Sequence, residues 1–558
     1  MDNFYGHEKI NSAVTQNIKF SDRTQDWGVV YDHFQNSSGK NPFSGLVFPS
    51  VLIYDFDNNG FVDIFYSGGN RNFLYLNFGN GAFKESAESF GIACFNDTEF
   101  LNSQIVMGDL NGDGEDDIYL ATSGSHRLFY RDLNSNHFTE VSEKLNGYRS
   151  FSHGISLLDF NQDGRLDVVV ANFHELGKEY RRMQYVLQAG ELNNFGTNNA
   201  LLIQQPDGSF KNLETLKSKN KTFANSVGIS DINNDGYPDI FFANDYGPDS
   251  MLMNIEGRSV LDVTNKRVPK HRQLNGGKSV EFIDYDQDGL IDLFVTNAYI
   301  PPYQAGYNML WKKTSKDGNF KLVSQEENIG KSGLSWGAKF ADFNLDGKLD
   351  VYVANGLERD LRGSRIEDEK SLWYGKMEFA EAPLFFRNNS KSFSQNKNNL
   401  YHRFGFQRDA LFIQGSNNRF YDVALDIGLS DDSEGRGLAI ADFNNDGLMD
   451  IVVTNYFGKS KVYQNMSKPG TTWIGLKLIN SKGSQLPIGT KITLIQSHGP
   501  DLVREYYPGN GFRSQSDSRL VLSLAPGSKF TKLEVIWPGH IKKTYESLKE
   551  NSYNEVRE

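Results

Sequence analysis

Residues 442–454 read Asp442-Phe443-Asn444-Asn445-Asp446-Gly447-Leu448-Met449-Asp450-Ile451-Val452-Val453-Thr454, a short acidic loop that runs directly into an apolar, β-branched stretch. The pattern occurs six more times, as DFDNNGFVDIFYS from Asp55, DLNGDGEDDIYLA from Asp109, DFNQDGRLDVVVA from Asp159, DINNDGYPDIFFA from Asp231, DYDQDGLIDLFVT from Asp284 and DFNLDGKLDVYVA from Asp342. Self-similarity of this kind marks a repeat architecture in which each copy is one supersecondary unit packed on its neighbours.

The template is D-x-[DN]-x-[DN]-G-x-x-D. Positions 1, 3, 5 and 9 carry only Asp or Asn, short side chains whose oxygens suit calcium, a hard cation that takes oxygen ligands at about 2.3–2.6 Å. In chain order the four are Asp55, Asp57, Asn59 and Asp63; Asp109, Asn111, Asp113 and Asp117; Asp159, Asn161, Asp163 and Asp167; Asp231, Asn233, Asp235 and Asp239. The last three loops supply Asp284, Asp286, Asp288 and Asp292; Asp342, Asn344, Asp346 and Asp350; and Asp442, Asn444, Asp446 and Asp450. Position 6 is glycine every time, as a loop turning through positive φ requires. Position 7 holds Phe61, Glu115, Arg165, Tyr237, Leu290, Lys348 and Leu448, a set with nothing in common, as expected where only a backbone carbonyl serves the ion. Up to seven calcium ions are therefore expected, mainly structural, each holding a hairpin whose carboxylates would otherwise repel.

An EF-hand shares the first half of this loop but needs flanking helices and a Glu at position 12. Here position 12 is never Glu, and position 9 is followed by strand formers such as Val168-Val169-Val170 and Ile240-Phe241-Phe242. Each loop also comes after a short apolar segment, such as Leu438-Ala439-Ile440, so it joins two strands as a hairpin. A second strand pair comes next, in Leu74-Tyr75-Leu76 with Phe83 and in Leu128-Phe129-Tyr130 with Phe138. The expected fold is all-β, a seven-bladed β-propeller with calcium-binding hairpin loops over residues 1–465, which leaves no long sheet edge exposed. An open solenoid is the competing architecture, and the hairpin pattern fits it less well.

The bulk composition agrees. The 558 residues include 41 Phe, 26 Tyr and 53 Gly, suited to a turn-rich β protein with a large core. A formal net charge of −12 argues against nucleic acid as partner, since phosphate recognition needs clustered Lys and Arg. Cys94 stands alone, which excludes an intramolecular disulfide and a thiolate metal cluster. No apolar run approaches the roughly 18 residues of a membrane span. Met1 to His7 show neither the basic nor the apolar part of an export signal, so the chain reads as cytoplasmic, or as secreted or periplasmic after removal of a signal.

The acidic loops resemble the FG-GAP/VCBS repeats of integrin-like propellers. The order of parts resembles the cartilage acidic protein-like family with its C-terminal ASPIC/UnbV domain, on Trp336-Gly337-Ala338, Arg436-Gly437-Leu438-Ala439-Ile440-Ala441-Asp442, IGTKITL from Ile488, GNGFRSQSDSRLVLSL from Gly509 and LEVIWPG from Leu533. Residues 466–558 are accordingly expected to form a small β-sandwich-like domain, with strands at 473–479, 489–496, 520–524 and 532–537, that caps the propeller or serves adhesion.

Function should sit where the copies diverge, because what recurs in every blade is scaffold. The strand after the loop often ends in Asn (Asn172, Asn244, Asn297, Asn355, Asn455), which reads as a structural turn or cap. Beyond these positions lie two insertions, about 173–200 and 356–425, which could lean over the central channel as a lid. They carry the candidate catalytic residues His174, Glu175, Arg181, Arg182 and Arg359, while Tyr246, Tyr299, Tyr303 and Tyr456 are candidates for a ligand rim. The integrin-like resemblance implies binding of a protein, glycan or small-molecule ligand at the rim of the channel. The alternative is a calcium-stabilised enzyme of natural-product biosynthesis, performing alkylation or cyclisation at the channel mouth under the insertions of the third and sixth blades. No G-x-S-x-G, P-loop or H-E-x-x-H supports the commoner hydrolytic or nucleotide chemistries.

Overall fold

The computed structural model describes residues 17–33, 48–94, 102–174, 196–213, 222–268, 276–297, 307–356 and 407–558, apart from Asn70, Tyr246, Ser430, Asp432 and Phe457, with a few isolated positions elsewhere. Each acidic loop joins two antiparallel strands. In the first sheet Ser50–Tyr54 enters the loop and Asp63–Ser67 leaves it, Tyr54 opposite Asp63, and Phe73–Asn77 and Phe83–Glu85 continue the meander. The same order recurs behind Asn102–Gly108, Phe151–Leu158, Ala224–Ser230, Val280–Ile283, Ser335–Ala341 and Gly435–Ala441. First and second strands are buried almost throughout, which is why their sequences are near-continuous apolar runs, whereas the short fourth strands alternate with solvent.

The first strands stand side by side. Each packs against the first strand of the next sheet, and Gly435–Ala441 packs against Ser50–Tyr54. Repeated four-stranded sheets in this relation are consistent with a β-propeller. Neighbouring sheets are also tied by hydrogen bonds at one repeated position. In six of the sheets a residue at or next to the end of the third strand donates to the position 2 carbonyl of the preceding loop: Asn77 to Phe443 (2.9 Å), Arg131 to Phe56 (2.8 Å), Gln204 to Leu110, Asn254 to Phe160 (2.8 Å), Gln414 to Tyr285 (3.4 Å) and Asn465 to Phe343 (2.8 Å).

The seventh sheet takes its outer strand from the opposite end of the chain. Phe20–Asp22 pairs antiparallel with Lys461–Asn465, and Trp27 stacks on Phe83 and meets Phe443 edge-on, wedging the first and seventh sheets together. No loop motif lies near residue 20, so the repeat pattern does not signal this strand.

Beyond Asn465 the chain builds two further sheets. One orders Leu520–Ser523, Trp473–Ile479 and Tyr553–Arg557; the other orders Leu502–Glu505, Lys491–Gln496, Phe530–Trp537 and Ile541–Tyr545. They share a core of Ile474, Leu476, Ile492, Leu494, Leu533 and Trp537. Among the described residues no helix is long and apolar enough to cross a membrane.

Candidate functional site

The loop at Asp159 shows the common construction. The position 1 carboxylate accepts two backbone N–H groups, Asp163 on Oδ1 (3.0 Å) and Gly164 on Oδ2 (2.9 Å), while Asp163 Oδ1 accepts from Arg165 N (3.0 Å). Asp167, at position 9, accepts Phe160 N on Oδ2 (2.9 Å) and Gln204 N from the third strand on Oδ1 (2.9 Å). The turn uses positive φ at position 6 and also at position 4, where Asn58, Gly112, Gln162, Asn234, Gln287, Leu345 and Asn445 all adopt it. Asn and Gly suit that conformation. Leu345 does not, and its side chain is buried against Leu448 and Trp473, which offsets the strain.

These carboxylates are desolvated without a protein cation for each. Burial pushes the carboxyls of Asp63, Asp167 and Asp239 up to about 8, against opposing backbone hydrogen bonds, with neighbouring carboxylates adding to the rise. Burial likewise holds Asp117, Asp292, Asp350 and Asp450 well above the ordinary range. At position 1, Asp231, Asp284 and Asp442 rise to about 6 and Asp342 to about 7, burial again first among the causes. Oxygens of Asp55, Asp57 and Asp63 lie within 4.8 Å of one another, as do those of Asp284, Asp286 and Asp292. Convergent, buried carboxylate oxygens on a glycine-containing turn are the donor set a hard divalent cation takes.

The C-terminal domain covers this loop face. Tyr553 donates to Asp442 (2.8 Å), Ser523 to Asp342, and Arg519 to the carbonyl of Asp442 (2.7 Å). Ser484 donates to Asp116 (2.6 Å), and Glu505 accepts from Ser230 (2.7 Å). Lys477, Lys482 and Arg504 offset the negative charge at Asp55, Asp109 and Asp284.

From that face the segment Gly509 to Asp517 enters the space between the first strands and meets all seven. Arg513 O accepts from Val51 N (3.1 Å), and Ser514–Gln515 adds to the first sheet in parallel. Gln515 accepts from Met107 N (2.9 Å), Gly509 lies against Ser156 so tightly that a Cβ would fall 2.3 Å from that side chain, and Asn510 accepts from Ile229 N (2.9 Å). Gly511 N donates to Val280 O (2.6 Å), Lys339 Nζ to Asn510 O (2.5 Å) and Ile440 N to Ser516 Oγ (3.1 Å). The channel is thus filled by the protein's own chain. At its far end Phe512 packs on Phe48 and Trp336, with centroids 6.1 and 5.3 Å away.

The model of the FG-GAP-like repeat matches residues 55–120, 109–170, 231–295 and 284–353, that of the FG-GAP repeat matches 435–467, and that of ASPIC and UnbV matches 480–558. The chain is an FG-GAP repeat protein with an ASPIC and UnbV domain. It is similar to cartilage acidic protein 1 of Homo sapiens, 25% identical over 334 residues that cover 53% of this chain and 48% of that protein. It is also similar to T-cell immunomodulatory protein of Homo sapiens, 26% identical over 294 residues, covering 50% and 41%. The chain spans about half the length of these relatives. A solved Agrocybe aegerita lectin that recognises non-reducing terminal N-acetylglucosamine aligns at 16% identity over 56% of this chain and 75% of that one, with a TM-score of 0.35.

The FG-GAP sheets place the residues expected at the channel mouth differently. His174 ends the strand Asp167–His174, buried and edge-on to Phe151 at 6.2 Å, rather than standing in an open lid. Tyr456 is not an exposed rim aromatic. Its ring is buried 5.4 Å from Phe48 and 5.2 Å from the Arg436 guanidinium, which also sits 4.2 Å over Trp336. Tyr299 lies in a two-residue strand, Tyr299–Ile300, paired with Gln304–Ala305. Glu175, Arg181, Arg182, Arg359, Tyr246 and Tyr303 lie outside the described residues. Four of the Asn residues at the ends of second strands fasten those ends to the chain that leads into the third strand: Asn455 Nδ2 donates to Lys459 O (2.8 Å) and Asn244 Nδ2 to Pro248 O (2.7 Å), four residues on, while Asn172 Nδ2 donates to Asn198 O (2.8 Å) and Asn355 Nδ2 to Arg408 O (3.0 Å) across the two insertions. Among the described residues, Gly509 to Asp517 occupy the space beneath the mouth-of-channel site expected for an enzyme. The sequence marks this segment only as part of the stretch from Gly509 that resembles the ASPIC/UnbV domain, with nothing in it to place it between the first strands.

Proposed function

We propose that the seven FG-GAP sheets close as a seven-bladed, calcium-loaded propeller that works as a binding module, with the ASPIC/UnbV domain as its built-in plug. The observation that carries the calcium reading is the set of buried position 9 carboxyls, which the fold desolvates in every loop and which need a cation to be held charged. Bound calcium would neutralise these groups and fix each hairpin. Positions 1, 3, 5 and 9 would hold it, with the backbone carbonyl of position 7.

The plug supports binding over chemistry. A propeller enzyme would use the central channel as its reaction chamber; here the channel interior is hydrogen-bonded to the chain itself, and the loop face is under the C-terminal domain. A partner is left the opposite rim, from which the segments 175–195 and 357–406 depart. The ends of the second are side by side, since Asn355 N donates to Asp409 Oδ1 at 2.7 Å. A short Gly/Ser linker in place of residues 357–406 therefore leaves the sixth sheet intact.

Two measurements test this. Metal analysis after dialysis against calcium should find several tightly held equivalents per chain, and none would reject the calcium role. Protein and glycan arrays probed in calcium should give a specific ligand that the linker variant fails to bind. A ligand bound equally by that variant and by one lacking residues 175–195 would remove the rim from the reading.

A further inference from the structure

The fifth FG-GAP loop departs from the other six in two linked ways. In those six, positions 3 and 5 pair an Asn with an Asp, and the Asn amide bridges the two side chains: Asn59 to Asp57 (3.2 Å), Asn111 to Asp113 (2.8 Å), Asn161 to Asp163 (3.0 Å), Asn233 to Asp235 (2.8 Å), Asn344 to Asp346 (3.2 Å) and Asn444 to Asp446 (2.8 Å). The fifth loop has Asp286 and Asp288, two carboxylates that cannot bridge themselves. Lys312 does it instead. Its Nζ donates to Asp286 Oδ2 and lies 3.1 Å from Asp288 Oδ2.

Lys312 reaches the loop from the third strand, one residue past Trp311, which pairs with Leu293. The equivalent position in the other sheets is Leu76, Tyr130, Ile203, Met253, Ile413 or Gln464, none of them cationic. The Asp286 side chain is only 4% exposed, and its second oxygen, Oδ1, is buried with no hydrogen-bond partner among the described residues. The Asp286 carboxylate converges with those of Asp284 and Asp292. The loop therefore presents a complete carboxylate seat and a protein ammonium on its edge.

We propose that Lys312 is a resident cation of the fifth loop, so that this loop binds a divalent ion more weakly than the other six. The inference rests on the calcium reading of the loops. Its physical basis is direct: the ammonium already satisfies two of the four carboxylates and repels a second cation at close range, an effect that a half-buried site screens only in part. Counting positions 1, 3, 5 and 9 alone, the fifth loop carries four carboxylates where every other loop carries three, and Lys312 returns the sum to three with one ammonium across positions 3 and 5, whereas in the third loop Arg165 meets Asp163 alone.

The test is calcium titration of the full chain by calorimetry, starting metal-free, with metal analysis counting equivalents, on the wild type, Lys312→Met and Lys312→Gln. Glutamine supplies the amide that asparagine supplies elsewhere and keeps the measurement open should the methionine variant misfold. The wild type should show one equivalent bound at least ~10-fold more weakly than the rest, or missing, and both variants should bring it into the tight class. Wild-type sites of a single affinity, or a weak site unmoved by both variants, would overturn the proposal. A wild type that binds no calcium in any loop fails the underlying calcium reading itself, and the inference falls with it.

Discussion

Arg513 donates from Nη1 to the carbonyl of Phe48 at 3.1 Å, joining residues 465 positions apart and tying the C-terminal domain to the start of the first FG-GAP sheet. The same nitrogen donates to Ser103 Oγ at 2.5 Å, and the guanidinium lies 5.5 Å from the Phe48 ring. The side chain is fully buried. Arg513→Ala should therefore remove packing and leave buried acceptors unpaired, at a cost of about 3–5 kcal/mol in urea unfolding. Because the plug touches all seven first strands, wild-type fluorescence and circular dichroism should report one coincident transition. Two separated transitions would show the domains to be independent.

Two loop glycines of nearly equal φ separate backbone strain from domain docking. Gly60 (φ +89°) has nothing within 4 Å of a would-be Cβ, whereas at Gly447 (φ +87°) a Cβ would fall 2.2 Å from the Trp473 ring. Gly60→Ala should cost only the left-handed strain, about 1–2 kcal/mol. Gly447→Ala should cost clearly more, because Trp473 must move and with it the strand Trp473–Ile479. Equal losses in thermal or chemical unfolding would mean that Trp473 does not hold the domain on the loop face.

The outer strand Phe20–Asp22 makes ring closure testable at the other end of the chain. It covers the edge of Lys461–Asn465, and Thr24 Oγ1 accepts from Val462 N at 3.0 Å. Removing residues 1–24 exposes that edge, whose unpaired backbone groups invite pairing with another chain. The truncated protein should lose stability and form dimers or larger species in light scattering. A monomer of wild-type stability would show the strand to be dispensable.

The loops were legible because their chemistry fixes residue type at fixed offsets. Gly at position 6 answers a positive φ, and Asp at position 9 both accepts the position 2 N–H and anchors the third strand, so neither position can drift. Position 4 shares the positive φ but tolerates Asn, Gln, Gly and even Leu345, so no pattern marks it. The place of the plug was not legible for a different reason, although its residues belong to the stretch that resembles the ASPIC/UnbV domain. Gly509 to Asp517 bury polar atoms against strand ends, and hydrogen-bond complementarity leaves no hydrophobic period to read. Tyr456 was legible as a residue just past the strand end at Asn455, where it was expected on a ligand rim, but not as a ring turned inward on Arg436. Phe20–Asp22 is three residues long and pairs across the whole chain, a contact that no local signal carries.

The buried position 9 carboxyls set the pH dependence of the metal-free protein. In the folded chain Asp63, Asp167 and Asp239 are pushed up to about 8, against about 3.9 for an Asp in an unfolded chain. Between those values the folded state holds protons that the unfolded state has released, so stability must fall as pH rises through the window, by up to about 1.4 kcal/mol per pH unit for each such carboxyl. In EDTA the unfolding midpoint should therefore drop markedly from about pH 5.5 to about pH 8.5. Calcium binding requires the carboxylates ionised, so in saturating calcium the dependence should flatten or reverse, as acid then competes with the ion. A midpoint in EDTA that climbs with pH would show that these carboxyls are not desolvated as the fold implies. Identical pH profiles with and without calcium would show that no ion reaches them.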